Sequence, residues 1–295
     1  MSAPAEAAVP AEAPPQMAAP VAPPASTAPP FTLAILGATG QTGKWALKGA
    51  LQRGYACRVL ARKAAKVKDV YRGCFPKEAP CSTADLEKFD TLVTVVEGNL
   101  EVEKIAEVCR GADAICSFLG MVQRGVPVTK PGVDNTVAAL KKLAAEGEEG
   151  KVKLPARFLS MSTIGINDGR AIGNKAWGRC VMCCTKVHPG LKSSFADLAA
   201  GELSAFAAQK DAGLVGTKVT VIRCAILGQN DAKGFYVDLG AGGEKTYETV
   251  GPGESGQGKT SFTVDRQCVA QGFLDIASGS GEFDGKNIAM FQKRK

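Results

Sequence analysis

Three glycines, Gly37, Gly40 and Gly43, recur at every third position, and that spacing suits one kind of chemistry: holding a pyrophosphate on the backbone. Gly37 permits a tight turn, Gly40 lets backbone N–H groups approach the phosphates, and Gly43 lets a following helix pack close to a sheet. The helix N-terminus adds the positive end of its dipole. The spacing alone is a weak signal, since glycine-rich turns are common, and an ordinary strand-to-helix turn is the competing reading. The setting favours the phosphate. An apolar run over residues 32–36 leads into the glycines, and Trp45, Leu47, Ala50 and Leu51 follow at helical spacing. Strand, glycine turn and helix thus come in the order that a dinucleotide-binding βα unit requires.

A second pair of residues bears on which dinucleotide that would be. Residues 56–61 read as a strand that ends at Arg62-Lys63, with Lys66 one turn further on. An acid at this place accepts hydrogen bonds from the ribose 2′-OH of NAD, whereas a cation pairs with the 2′-phosphate of NADP. The cations favour NADP(H); a basic strand end that merely faces water is the alternative.

Other constellations carry less. Gly253 to Thr260 spells G-x-x-x-x-G-K-T, but a phosphate-binding loop of that type needs a helix starting at its lysine. Here the strand-like Ser261-Phe262-Thr263-Val264 follows, so a hairpin loop is expected. Cys180, Cys183 and Cys184, with His188 four residues on, have a spacing that could bind zinc or form a redox-active thiol pair. Adjacent cysteines rarely share one ion and no second C-x-x-C exists, so inward-packed thiols are expected and no metal site is assigned. His188, the sole histidine, precedes a proline and reads as a surface residue, with a substrate role as the alternative. Lys175 and Trp177 could meet an anionic or planar ligand, or anchor a loop.

The 295 residues allow one large α/β domain. Hydrophobic residues make up 45% and the mean hydropathy is −0.01, with no apolar run long enough to span a bilayer. The net charge is +7, or +9 beyond Gly43, because residues 1–43 hold only Glu6 and Glu12. The cations are interleaved with acids, and only Lys293-Arg294-Lys295 forms a cluster, which argues against nucleic acid as a partner. Ten cysteines without a secretory signal indicate a reducing compartment. Residues 1–30 are almost wholly Ala and Pro and are expected to be a disordered extension outside the fold. They lack the basic region of a signal peptide and the arginines of a mitochondrial presequence. A cytoplasmic protein is expected, with a plastid one as the alternative. The extension would be a processed leader or a tether offering a route to a protein partner.

Further along, residues 91–96 read as a third strand, and Val102, Ile105, Ala106 and Cys109 as a helix face. Residues 114–118 form a fourth strand, 121–131 a loop, and Val133, Val137, Leu140 and Ala144 another helix. Residues 157–161 are a fifth strand ending in Ser162-Thr163. Ser162 could donate a hydrogen bond to an acceptor's oxygen, or simply satisfy polar groups at the strand end. Residues 164–193 show no period and are expected to be a loop of the length that substrate lids have. Phe195, Ala199, Leu203 and Phe206 outline a helix, and residues 218–223 a sixth strand. Late strands at 246–250 and 261–264, a helix capped by Asp265 and containing Val269, Phe273 and Ile276, and a closing strand at 288–291 complete the chain. Alternation of this kind implies a doubly wound parallel sheet with both faces covered.

The segments LAILGATGQTG, RVLAR, VVEGNL, ADAICSFLG and SFTVDRQCVAQGFLDI resemble the NmrA-like branch of the atypical short-chain dehydrogenases, and within it the biliverdin reductase B-type flavin reductases. The likeness covers residues 31–292. It implies a single Rossmann-like domain that binds NADP(H) across the carboxyl ends of its strands. By that resemblance Thr39, Gln41 and Thr42 join the glycines at the pyrophosphate, and Arg62, with Lys63 beside it, takes the 2′-phosphate. Asn99 and Leu100 would lie near the adenine, Phe118, Leu119 and Gly120 along the ribose, and Ser162 near the nicotinamide. Two departures stand out: no Tyr-x-x-x-Lys follows Ser162, and the family's Arg-Pro after the sixth strand is Arg223-Cys224. The missing pair would normally protonate a substrate carbonyl. The resemblance therefore implies NADPH-dependent hydride transfer to a planar, quinone- or flavin-like small-molecule acceptor, or a cofactor-binding scaffold or redox sensor without turnover.

Overall fold

The computed structural model describes residues 30–120, 126–147, 152–164, 166, 189–214, 216–228, 245, 247–250 and 263–292. The Ala/Pro-rich extension up to residue 29, the residues 167–188 that include Lys175, Trp177, the cysteine cluster and His188, and the glycine-rich 253–260 lie outside them.

β1 (Thr32–Leu36) runs between β2 (Ala56–Ala61) and β4 (Ala114–Ser117), parallel to both. β3 (Val93–Glu97) lies beyond β2, while β5 (Arg157–Thr163) and β6 (Lys218–Cys224) continue beyond β4. The sheet is completed by β10 (Asn287–Gln292), parallel to β6, and then by β8 (Tyr247–Val250), antiparallel to β10. The resulting eight-stranded order is β3-β2-β1-β4-β5-β6-β10-β8. The chain leaves β1 in one direction and returns on its other side at β4. This reversal makes the carboxyl ends of β1 and β4 a topological switch point, the place where doubly wound sheets bind ligands.

The strands read as near-continuous apolar runs because both faces of the sheet are covered. Leu33 to Leu36 and all of β4 are buried. One face carries α1 (Gly43–Gln52), α2 (Ala65–Arg72), α3 (Thr83–Leu92) and α7 (Arg266–Ser278), which pack Trp45, Leu47, Leu51, Tyr71, Phe89 and Phe273 on the strands. The other carries α4 (Val102–Cys109), α5 (Thr129–Gly147) and α6 (Pro189–Gln209), with Ile105, Leu140 and Ala205 against Ala34, Leu36 and Phe158. The short strands β7 (Ile226–Gly228) and β9 (Thr263–Asp265) pair separately.

Several expectations need correction. The third strand begins at Val93, because α3 is continuous through Leu92 from a capping box in which Ser82 and Asp85 exchange hydrogen bonds. The fourth strand stops at Ser117, and Phe118 lies in the irregular segment that follows. The expected loop 121–131 ends earlier: α5 starts at Thr129, with Pro131 in its first turn, where a missing N–H costs nothing. The end of the expected lid, residues 189–193, is the start of α6. Leu203, one of the apolar residues that outline this helix, is 56% exposed. The last strand does not close the sheet either, since β8 lies outside it as the antiparallel edge.

Candidate nucleotide-binding site

At the carboxyl end of β1 the chain turns through Gly37, whose φ of +83° suits a residue without a Cβ. A Cβ there would also sit 3.1 Å from the carbonyl carbon and oxygen of Phe118. The turn closes with the Gly40 N–H donating to the Gly37 oxygen at 2.9 Å. A Cβ on Gly43, the first residue of α1, would lie 2.2 Å from that same oxygen. The helix therefore starts against the turn itself. Thr42 stands at its N-cap, yet no side chain caps it and its first turn holds no acid. Its positive end is open to an anion, flanked by Thr39 and the exposed Gln41.

Arg62 and Lys63 follow β2 directly, both exposed, and neither pairs with an acid among the described residues. One carboxylate that reaches the residue after this pair belongs to Glu97, at the end of neighbouring β3. It accepts the Ala64 N–H at 2.9 Å, while the Gly98 N–H donates to the Ala61 oxygen at 3.0 Å. Beyond it, the Asn99 N–H and Nδ2 donate to the two carboxylate oxygens of Glu101, at 2.8 and 3.3 Å. Hydrogen bonds from its own backbone N–H and from Asn99 hold the Glu101 carboxyl below the usual carboxylate range.

The segments after β3 and β4 meet over α5. Asn135 Nδ2 donates to the Leu100 oxygen at 2.7 Å. A Cβ on Gly132 would lie 2.2 Å from Leu119 Cδ1 and 3.7 Å from Leu100 Cδ1, so both leucines gather around this glycine. Gly120, next along, faces Met161 of β5, whose Cε would be 3.8 Å from a Cβ on that glycine. The geometry thus brings Gly37, Gly40, Gly43 and Phe118 together, and Leu100 and Leu119 together, on one edge of the sheet.

Ser162 sits near the end of β5, 6% exposed, and its Oγ donates to Glu202 Oε2 from α6. Glu202 in turn pairs with Arg223 of β6, whose Nη2 lies 2.9 Å from Oε1 and whose Nε lies 3.3 Å from both oxygens. Arg223 and Glu202 are each 2% exposed. A hydroxyl has one proton. With that proton given to Glu202, Ser162 meets any further group as an acceptor. Tyr247, the described tyrosine downstream of Ser162, donates to Asp275 at 2.8 Å, and Asp275 pairs with Arg53 at 2.7 Å. Arg53 caps the C-terminus of α1, so this group lies about 15 Å of helix away from the glycine turn. Burial pushes the Tyr247 hydroxyl well above its ordinary range.

Glu97, Asn135, Gly132 and Glu202 were not singled out by their residue types or spacing. One signal was available for the last: an arginine in the apolar strand TVIRC demands a buried acid. Among the described residues no group of three His, Cys, Asp or Glu could hold a metal ion, and no helix is long and apolar enough to cross a membrane.

Residues 37–278 match the family described as NAD(P)H-binding. No curated protein sequence matches the chain. Among solved structures, the fold is similar to an oxidoreductase of Lactococcus lactis, with a TM-score of 0.56 at 18% identity over 90% of this chain and 92% of that one. It is also similar to the anaerobilin reductase ChuY of Escherichia coli, with a TM-score of 0.55 at 14% identity over 88% and 97%. A candidate NADH-flavin reductase of Streptococcus pneumoniae gives a TM-score of 0.53 at 17% identity over 89% and 100%. The chain belongs to the NAD(P)H-binding family.

Proposed function

We propose that this member of the NAD(P)H-binding family is an NADPH-dependent reductase that transfers a hydride to a planar, quinone- or flavin-like acceptor. The observation that carries the cofactor preference is the exposed pair Arg62 and Lys63, without an acid partner among the described residues, at the strand end beside β1. The residues present fit the cofactor: Gly43 leaves no space for a Cβ, and the helix it opens has no capping side chain. In this reading residues 31–295 act as one nucleotide-binding domain.

The glycine turn, with Thr39, Gln41 and Thr42, holds the pyrophosphate on backbone N–H groups and the dipole of α1. Arg62 and Lys63 take the 2′-phosphate. Asn99 and Leu100 flank the adenine, Phe118 to Gly120 line the ribose, and Ser162 orients an acceptor that offers an N–H, as a flavin does, by accepting its hydrogen bond. The bound nicotinamide supplies the hydride.

Two structural neighbours are named for reduction of conjugated planar molecules, an anaerobilin and a flavin. Hydride transfer to such acceptors depends mainly on juxtaposition of the two rings. That suits a chain without Tyr-x-x-x-Lys after Ser162. The same absence, together with the proton that Ser162 gives to Glu202, favours a second reading: an NADP(H)-binding scaffold or redox sensor, tethered to a protein partner by residues 1–30. NADPH consumption by the purified chain with free flavins, quinones and linear tetrapyrroles separates the two. The reductase reading expects consumption with one of these classes, faster than with NADH. Tight NADPH binding with no consumption by any of them would leave the scaffold.

A further inference from the structure

We infer that Glu97 is a specificity-determining residue that holds down the preference for NADPH over NADH; this rests on the NADP(H) reading above. Glu97 is the last residue of β3 and stands opposite Ala61, the last residue of β2. Its exposed carboxylate reaches across the strand ends to accept the Ala64 N–H at 2.9 Å. Ala64 is the N-cap of α2, a helix with no side-chain cap of its own and no acid in its first turn. The acid at that helix terminus is therefore delivered from the neighbouring strand, directly behind Arg62 and Lys63.

Backbone dimensions put this carboxylate within about 10 Å of the Cα atoms of both cations. Two consequences have the same sign. A 2′-phosphate carries roughly −1.5 to −2 charges near neutral pH, so the carboxylate repels it, whereas a 2′-OH carries none. The carboxylate also occupies an N–H that an anion at the start of α2 would otherwise take. Glu97 thus acts against NADPH and leaves NADH almost untouched. The dinucleotide preference becomes a balance between Arg62 and Lys63 on one side and Glu97 on the other. Because the groups are exposed and separated by about a Debye length, the effect fades as salt rises.

The test is Glu97→Gln in the full chain, which keeps an amide oxygen to accept the Ala64 N–H and removes only the charge. Dissociation constants for NADPH and NADH are measured for this variant, for Arg62→Ala and for wild type, at low and high salt. NADPH should tighten about three- to tenfold in Glu97→Gln at low salt, with less gain at high salt and NADH changed by less than about twofold. An unchanged NADPH constant, or equal shifts for both nucleotides, would reduce Glu97 to a helix cap and overturn the inference. If Arg62→Ala still removes an NADPH preference in that event, the cofactor reading survives without Glu97. If wild type shows no such preference and Arg62→Ala changes nothing, the cofactor reading falls and takes the inference with it.

Discussion

Gly43 leaves no room for even one methyl group, because a Cβ would stand 2.2 Å from the Gly37 oxygen and 2.8 Å from its carbon. Backbone cannot yield there as a side-chain tip could. Gly43→Ala should cost about 1–3 kcal/mol in denaturant unfolding and abolish binding of both nucleotides, since α1 must back away from the turn. The buried thiols give a second residue-scale expectation. Burial pushes Cys57, Cys109 and Cys224 from near 9 up to about 12, and raises Cys116 as well. Unfolded thiols ionise first, so the stability these groups support is intact below about pH 9 and is lost as pH rises toward about 12. The free energy of unfolding should fall across that window by up to about 1.4 kcal/mol per pH unit for each thiol. Native thiols should resist alkylation until the chain unfolds. A flat profile above pH 9, or fast native labelling of these positions, would refute it. The glycines were legible in the sequence because a tight turn is a local demand on the backbone. The partner of Ser162 was not, because Glu202 lies forty residues away and only the packing of α6 on β5 and β6 brings it near.

Elements meet at this site through carboxylates that serve a neighbour. Asp197 of α6 accepts the N–H groups of Val128, Thr129 and Lys130 at 2.9, 2.8 and 3.0 Å, and so caps α5 from outside. Asp197→Ala should cost about 1–2 kcal/mol. Since α5 carries Gly132 and Asn135 against Leu119 and Leu100, it should weaken NADPH and NADH by the same factor. A shift in NADPH alone would contradict that. Glu202→Ala removes the carboxylate paired with the buried Arg223 and should cost about 3–5 kcal/mol in the same unfolding experiment. Helices with one apolar face, such as α4, were readable from their period. α3 and the start of α5 were not: α3 buries little beyond Phe89, and α5 takes its cap from another helix.

Over the whole molecule, the alternation of apolar strands and amphipathic helices announced a parallel sheet covered on both faces, because only burial on both sides accounts for runs such as LAIL and AICS. The position of the last strand was beyond that logic. β10 enters between β6 and β8, an order set by pairing between distant segments that hydrophobic period does not encode. The glycine turn, the uncapped α1 and the cations after β2 all stand on the carboxyl edge of this sheet, and the central claim is that they form an NADP(H) site. Titration of NADPH and NADH into the full chain and its Arg62→Ala variant tests it most directly. Charge-assisted contacts to a 2′-phosphate are worth about 1.5–3 kcal/mol, so NADPH should bind at least about tenfold tighter than NADH, and the variant should lose that margin while keeping its affinity for NADH. Equal binding of the two nucleotides by the wild-type chain, or a margin that survives in Arg62→Ala, would contradict the account.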